Sequence, residues 1–533
     1  MSRTKRLISR ANQRLPLVNA AALLIAASML MQVLGLLRTK LVNANFPIFG
    51  PDSTDAYFAA FKIPDLFFFT LAAGALGVAF MPFLADRLAK NDRRGVWDLS
   101  NSLLNLLSIV MLAVGIIIFV FAETLISKVV APGLTPEQLE NATAIMKLIA
   151  FNPFIFTVSG IFTSVQQTFG RFFFYAMAPL FYNGAIIASI YIFKDSLGLV
   201  GLGVGALAGA LLQLAMTLFG FIGLHYKYKA VIKWSLPDFR AMVRQLPPRS
   251  FDQGVDQINT IVETNLASRL GVGRITFYEN AFILHTAPIL LIGTTIATAA
   301  FPRLNDRLSQ GRPDLFRRDF LRILRVMIWI LVPVVIIAFF SRGYLARLIF
   351  SRGAPEIAIV FGFFVGAIFF RSIFALISRW FYSNKDTKTP LYVSVVAVAL
   401  NIVLAYLLSR PTAYGVAGLA MAQSIVAAVE VGILSVIMVI RDPKLLDKSF
   451  WSGIFQIVSI SGFTGLAAYI MVQIFPLTLS DTGVIALGSK LTAIAGVTII
   501  VHLAMSSLFK LEEVKPVVRK IKSLILGRVK IEW

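Results

Sequence analysis

RSFDQGVDQINTIVETNLAS, Arg249 to Ser268, is the stretch on which the reading of this chain turns. Half of it is polar, in a sequence that is 57% hydrophobic. At helical spacing Asp252, Asp256, Asn259 and Glu263 fall at i, i+4, i+7 and i+11 and share one face. Phe251, Val255, Ile258, Val262 and Leu266 fall on the other. As a helix, Asp252 to Glu263 covers roughly 16 Å, about half the hydrocarbon core of a bilayer. Each charge there costs a few kcal/mol if it faces lipid, so the polar face is expected to line a wet cavity. The stretch is read as the helix that opens the second half of a two-lobed membrane transporter.

The surrounding composition supports a membrane setting. The chain has 533 residues, 14% of them charged, 45 Phe and a mean hydropathy of +0.79. A soluble protein of this length needs a more charged surface. Apolar runs of 18 to 25 residues recur, which predicts an all-α polytopic membrane protein. Cysteine is absent and only three His occur (His225, His285, His502), which leaves out disulfides, thiolate metal sites and cysteine nucleophiles. GLGVGALAG, Gly201 to Gly209, imitates a nucleotide loop but lies inside an apolar run, where it predicts close helix packing. The net charge of +23 suits nucleic acid in a soluble protein, but here it marks cytoplasmic loops and attraction to anionic membrane lipids, and no nucleic-acid partner is expected.

About fourteen spans are expected, near 17–37, 56–83, 99–122, 143–168, 172–193, 199–225, 249–268, 275–301, 320–341, 357–381, 389–409, 414–440, 452–475 and 484–508. Basic residues concentrate in alternate loops, among them Arg87/Lys90/Arg93/Arg94, Lys227/Lys229/Lys233 and Arg303/Arg307/Arg312. Both termini are therefore expected in the cytoplasm. The same pattern bears on the opening stretch, whose alternative is a helix lying on the membrane surface. The linkers 227–244 and 303–318 are both basic, and two crossings must separate them. That requires 249–268 to cross.

Internal repeats set the domain plan. GLVGLGVGALAGALLQ (198–213) resembles GVAGLAMAQSIVAAVE (415–430), and AFMPFLADRL (79–88) resembles AFPRLNDRL (300–308). The offset near 220 covers six spans, so the lobes are expected to relate by a pseudo-two-fold along the membrane normal. The plan is a basic N-terminus (1–15), a first lobe (16–225), a cytoplasmic linker (226–248), a second lobe (249–441), two further spans (450–509) and a basic amphipathic tail (510–533).

Function is sought in the charges inside this apolar chain. The first lobe has Arg38, Asp55, Lys62 and Asp65. Their structural alternatives are interface snorkelling for Arg38 and Asp55, and an i, i+3 ion pair beside Pro64 for Lys62 and Asp65. The second has Arg249, Asp252, Asp256, Glu263, Glu279, Arg371 and Glu430. Arg38, Lys62 and Arg249 suit a phosphate or pyrophosphate. Asp252, Asp256 and Glu263 suit an ion or proton coupling site, or neutralise those cations. An enzyme of the glycosyltransferase or acyltransferase kind needs an acidic metal pair or a loop His, and neither is found. No catalytic residue, metal or cofactor is expected.

Specific motifs then resemble a family. VLGLLR (33–38), TDAYFAAFKIPDL (54–66), Ala72 to Pro82, APGL (131–134), QINTIVETNLAS (257–268), IATAAFPRL (296–304), LIFSRGA (348–354) and above all FYSNKDTKTP (381–390) resemble the MurJ-type (MviN) lipid II flippases of the multidrug/oligosaccharidyl-lipid/polysaccharide exporter superfamily. The resemblance implies fourteen helices in two lobes. It also implies flipping of an undecaprenyl-pyrophosphate-linked peptidoglycan precursor across the inner membrane by alternating access. It implies headgroup-cavity roles for Arg38, Lys62 and Asp55, and Glu263 matches an acidic position of the family's seventh helix. From the reading of the residues above, Arg249 joins the headgroup set, and Asp252, Asp256 and Asn259 join Glu263 as cavity lining or coupling. Coupling to Na+, H+ or the membrane potential and a monomeric state are expected. The chain departs from the family at Phe68, Ile283, Gln32 and Thr39, where relatives carry charges. The alternative is another lipid-linked oligosaccharide exporter or a drug/cation antiporter of the same superfamily.

Overall fold

The computed structural model describes residues 12, 17–73 and 80–525; within these, the side chains of 17, 18, 21, 72, 73, 247–253, 521, 522, 524 and 525 are not described. Most of the basic N-terminus, residues 74–79 of the second expected span and the last eight residues of the tail thus lie outside the described residues. The described chain is helical and packs as two compact units, Met1–Thr276 and Phe277–Trp533.

The first unit holds α1 (Leu17–Asn45), α2 (Thr54–Phe67), α3 (Met81–Ala89), α4 (Arg93–Thr124), α5 (Pro136–Ile149), α6 (Asn152–Thr168), α7 (Phe173–Leu197), α8 (Val200–Phe219) and α9 (Pro237–Ser268). Glycines decide the α7–α8 contact. A Cβ at Gly205 would stand 2.1 Å from Ser189 Oγ, and one at Gly209 2.9 Å from the Tyr182 carbonyl oxygen. The glycine run is a packing surface, as its apolar setting predicts. A core of Phe80, Leu99, Leu103, Ile161, Val165, Phe239 and Met242 joins α3, α4 and α6 to the first turns of α9.

The linker is strapped to this unit. Asp98, Asn101 and Asn105 lie at i, i+3 and i+7 on α4, which puts them on one face. Asn101 and Asn105 donate to the carbonyls of Lys227 and Lys229 at 3.1 and 2.8 Å, and Lys233 reaches Asp98 at 2.6 Å. The expected linker 226–248 is corrected in one respect: α9 starts at Pro237, well inside it. Proline at the first helical position loses no hydrogen bond. Asp238 then pairs with Arg87 at 2.8 Å, while Phe239 and Met242 are buried. That packing carries the helix through Pro247 and Pro248, whose missing N–H groups would by themselves favour a break.

The second unit begins within α10 (Arg274–Pro288) and continues with α11 (Thr295–Ser309), α12 (Pro313–Phe340), α13 (Arg342–Ile349), α14 (Ala354–Ser383), α15 (Lys388–Leu408), α16 (Val416–Arg441), α17 (Lys448–Ile474), α18 (Gly483–Leu508) and α19 (Lys515–Ile525). Its core gathers Leu304, Phe320, Leu324, Met327, Leu376, Trp380 and Leu434 from α11, α12, α14 and α16. The last two long helices dock on α12 around Trp329, whose indole N–H donates to Ser506 at 2.9 Å.

Among the described residues, twelve helices are long and apolar enough to cross a membrane. The two expected spans outside that set are 56–83, interrupted by the undescribed residues, and 249–268, which lies in the polar α9. Among the described residues three spans carry a π-helical stretch: Leu125–Val130 ends the α4 span with no proline close before it, and the other two occupy matching places. A π-helical stretch, Phe68–Ala73, follows Pro64, and another, Ile289–Thr294, follows Pro288. They lie 221 residues apart, at the repeat offset, so the repeat is written in the backbone as well as in the sequence. Such wide turns recur at functional sites.

Candidate functional site

The site is built from α2 outward. Ser53 caps α2 by accepting from the Asp55 N–H at 3.2 Å. Asp55 is itself only 1% exposed. Its carboxylate accepts from the Gly273 N–H at 2.5 Å, the Thr276 N–H at 2.7 Å and the Thr276 hydroxyl at 2.6 Å. Thr54 and Thr276 share a further hydroxyl contact at 2.9 Å. Asp55 therefore caps α10 from across more than two hundred residues of chain. Gly273 sits at φ +85°, and a Cβ there would meet Ile48 and Phe49 within 3 Å. Both oxygens of Asp55 are engaged by protein, so its place is that of a positioning group and not of a free headgroup contact.

Arg38, on α1, is half-buried. It lies with Asp65 within Coulombic reach of Tyr57 and Tyr182. Lys62, one turn before Asp65, is half-buried and engaged by its surroundings. Aromatic rings form the wall beside them: Tyr57 against Phe61, Phe68 against Phe156, and Phe156 against Tyr182, with centroids 4.9 to 5.5 Å apart. Phe61, Asp65, Phe68, Asn152, Phe156 and Tyr182 border a cavity of about 10 Å³, the size of one water. Phe68 is thus part of an aromatic wall.

The α9 stretch differs from its expected form. Arg249 and Asp252 lie on the helix backbone, but their side chains are outside the described residues. Asp256 is exposed. Asn259 and Glu263, expected to line a wet cavity, are buried at 4% and 0% exposure, and Asn259 donates to Glu263 at 3.0 Å. Ile258, from the apolar face, is half exposed. The three described polar positions, Asp256, Asn259 and Glu263, therefore do not act as one wet face. The reason is packing: α9 lies against α2 and its π stretch, with Gly254 beside Thr70, and the buried side carries Ile261, Glu263, Thr264 and Ala267. Small and polar side chains permit that close approach, and the i, i+4 amide supplies the carboxylate with a donor.

In the second unit, Arg371 and Glu430 form an ion pair at 3.6 Å. Glu430 also accepts from Ser394 at 2.7 Å, and Arg371 donates to Gln423 at 3.3 Å. His285 stacks on Phe364 and bonds the Phe282 carbonyl, as a core histidine does. The DTKTP motif is a helix cap. Asp386 accepts from the N–H groups of Lys388 and Thr389 at 3.0 Å each, and from Arg441 at the end of α16. Burial raises the Asp386 carboxyl, but the Thr389 hydroxyl and N–H and the Arg441 guanidinium outweigh it and hold the pKa at about 2.

Sequence reasoning named Arg38, Lys62 and Asp55 but missed Tyr57, Tyr182 and Thr276 as their neighbours. The available signal for Thr276 is GVGRIT, 271–276, two glycines before a helix start.

The family model described as "Lipid II flippase MurJ" matches residues 47–490. A "Probable lipid II flippase MurJ" of Borreliella burgdorferi is 23% identical over 416 residues, 76% of this chain and 80% of that protein. The protein of the same description from Thermotoga maritima is 25% identical over 499 residues, 92% and 96% of the two chains. A solved structure described as "Lipid II flippase MurJ, inward closed conformation" superposes with a TM-score of 0.74 at 22% identity, covering 92% of this chain and 98% of that one. With a family match over most of its length on an all-helical, multi-pass frame, the chain belongs to the lipid II flippase MurJ family.

Proposed function

We propose that this chain moves lipid II, the undecaprenyl-pyrophosphate-linked peptidoglycan precursor, from the inner to the outer leaflet of a bacterial cytoplasmic membrane by alternating access. It is a transporter and not an enzyme. The observation that carries the reading is the family match over residues 47–490. Arg38 and Lys62, and Arg249 from α9, supply cations for the pyrophosphate, with aromatic rings beside the first two. Asp55 fixes the start of α10 and acts through position. Asp252, Asp256 and Glu263 bias the conformational equilibrium through Na+, H+ or the cations nearby. The charged cargo itself couples to the membrane potential at about 2.3 kcal/mol per charge per 100 mV. The chain works as a monomer, takes no nucleic acid and keeps both termini in the cytoplasm. The native chain has no Cys, so single introduced cysteines report the sidedness of each loop directly.

The experiment is reconstitution of the full chain in vesicles carrying lipid II, with translocation followed by outside labelling of the headgroup. Transport of lipid II that Arg38→Ala and Lys62→Ala each lower by about tenfold is the expected result. Transport of organic cations with none of lipid II would replace this reading with that of a drug antiporter.

A further inference from the structure

The second unit holds a cavity of about 1100 Å³ that the transport reading does not use. Four segments wall it: Arg303 of α11, the first turns of α12, the α16–α17 loop with the first turn of α17, and the chain from Glu512 into α19. On α12, Arg318, Arg322 and Arg325 lie at i, i+4 and i+7 and so share a face. From the tail, Lys515 and Arg519 repeat the i, i+4 spacing.

The charges lining this cavity do not cancel. Asp319 is neutralised by Arg303 and Arg307 at 2.9 and 3.1 Å, and Glu513 by Arg325 at 2.6 Å. Asp314 faces Arg312 at 3.6 Å, and Asp447 caps α17 by accepting from the Phe450 N–H at 2.7 Å. Among the described residues, Arg318, Arg322, Lys444, Lys515 and Arg519 make no ion pair, and only the carboxylates of Asp447 and Glu512 remain to set against them, which leaves the cations in excess. Basic loops are ordinary on the cytoplasmic side of a membrane protein. A cavity built to converge them is not. Here the tail is pinned in place: Leu511 and Val514 are buried against the Trp329 cluster, and the Arg325–Glu513 pair is itself nearly sealed. A Cβ at Gly453 would stand 2.6 Å from the Arg325 guanidinium, so a glycine in α17 makes room for the pin. Five mutually repelling cations held together this way suit a polyanion, and arginine forks suit phosphate oxygens.

We propose that this cavity binds a phosphate-bearing anion distinct from the transported cargo. Two sources share that chemistry: the headgroup of an anionic phospholipid and a soluble polyphosphate. Occupancy ties α19 to α12 and so fixes the C-terminal tail on the second unit.

The test uses the full chain in nanodiscs. In one arm, phosphatidylcholine discs are doped with phosphatidylglycerol, and lipid retained by the protein is counted by native mass spectrometry. In the other, inorganic pyrophosphate is titrated calorimetrically into pure phosphatidylcholine discs. R322Q/R519Q removes two cations without touching the pinning pairs, and R240Q/R244Q removes two exposed cations from the first unit. Binding by the parent chain in at least one arm, weakened about tenfold in R322Q/R519Q and less than about twofold in R240Q/R244Q, is expected. Binding in the lipid arm alone assigns a headgroup, and binding in the pyrophosphate arm alone assigns a soluble ligand. Binding in neither arm, equal weakening in both variants, or parent-like binding by R322Q/R519Q overturns the proposal. If R322Q/R519Q melts earlier than the parent, K444Q/K515Q takes its place with the same expected outcome.

Discussion

Asp55 grips Thr276 twice, through the backbone N–H at 2.7 Å and the hydroxyl at 2.6 Å, with the carboxylate sealed from solvent. Two charge-assisted bonds to an N-terminal turn are a strong cap. Replacement by Ala leaves the buried N–H groups of Gly273 and Thr276 without an acceptor. Asp55→Ala is therefore expected to lower stability by about 2–4 kcal/mol. Asp55→Asn keeps one acceptor oxygen and is expected to fall between Ala and the parent. Thermal midpoints of the purified chains check this. A midpoint unchanged in Asp55→Ala would return Asp55 to the role of a headgroup contact.

Glu263 depends on Asn259 as a near donor. Asn259→Ala is expected to cost about 1–3 kcal/mol, because a buried carboxylate loses a hydrogen bond. Glu263→Gln keeps an acceptor and is expected to stay within about 1 kcal/mol of the parent. The second variant also tests coupling. If Glu263 carries it, transport by Glu263→Gln persists but no longer responds to an imposed Na+ or pH gradient. A retained response moves coupling to Asp256 or Asp252.

The Arg371–Glu430 pair joins α14 to α16 inside the second unit. Arg371→Met alone strands a carboxylate that is 2% exposed, at a cost of about 3 kcal/mol. Adding Glu430→Leu removes the stranded charge, so the double variant is expected to recover most of the lost thermal midpoint. A double variant as unstable as the sum of the two singles would mean that the two residues do not interact.

Asp386 gives the chain a defined acid response. Its pKa in the fold is about 2, below the ordinary 3.8, so more protons bind the unfolded chain between these values. The stabilisation is complete above the ordinary value and is lost as pH falls from 3.8 toward 2. The difference in thermal midpoint between the parent and Asp386→Asn is expected to be constant from about pH 5 to 8 and to shrink below about pH 4. A difference that grows in acid would contradict the cap geometry.

Most of the helices are legible in the sequence because hydropathy alone decides which segments sit in lipid. That α9 crosses is an expectation drawn from the charge of its flanking loops, since its own composition is too polar and it is not among the helices apolar enough to span. What stayed hidden depends on contacts between remote residues. Asp55 finds its partners 218 and 221 residues later, and no local pattern announces that. The start of α9 was obscured by Pro247 and Pro248, which read as a break until the burial of Phe239 and Met242 is known. Periodicity grouped Asp256, Asn259 and Glu263 on one face, but only packing separates the exposed Asp256 from the buried pair. The pairing of Arg371 with Glu430 required both helices to be in place.

The central claim is tested most directly by the leaflet in which lipid II collects when this chain is depleted from growing cells. An enzyme that cleaves lipid II only from the outside distinguishes the two pools. The account predicts lipid II protected from that enzyme, accumulating on the inner leaflet, and made accessible again when the chain is re-expressed. Lipid II that stays accessible on the outer leaflet throughout depletion would contradict it.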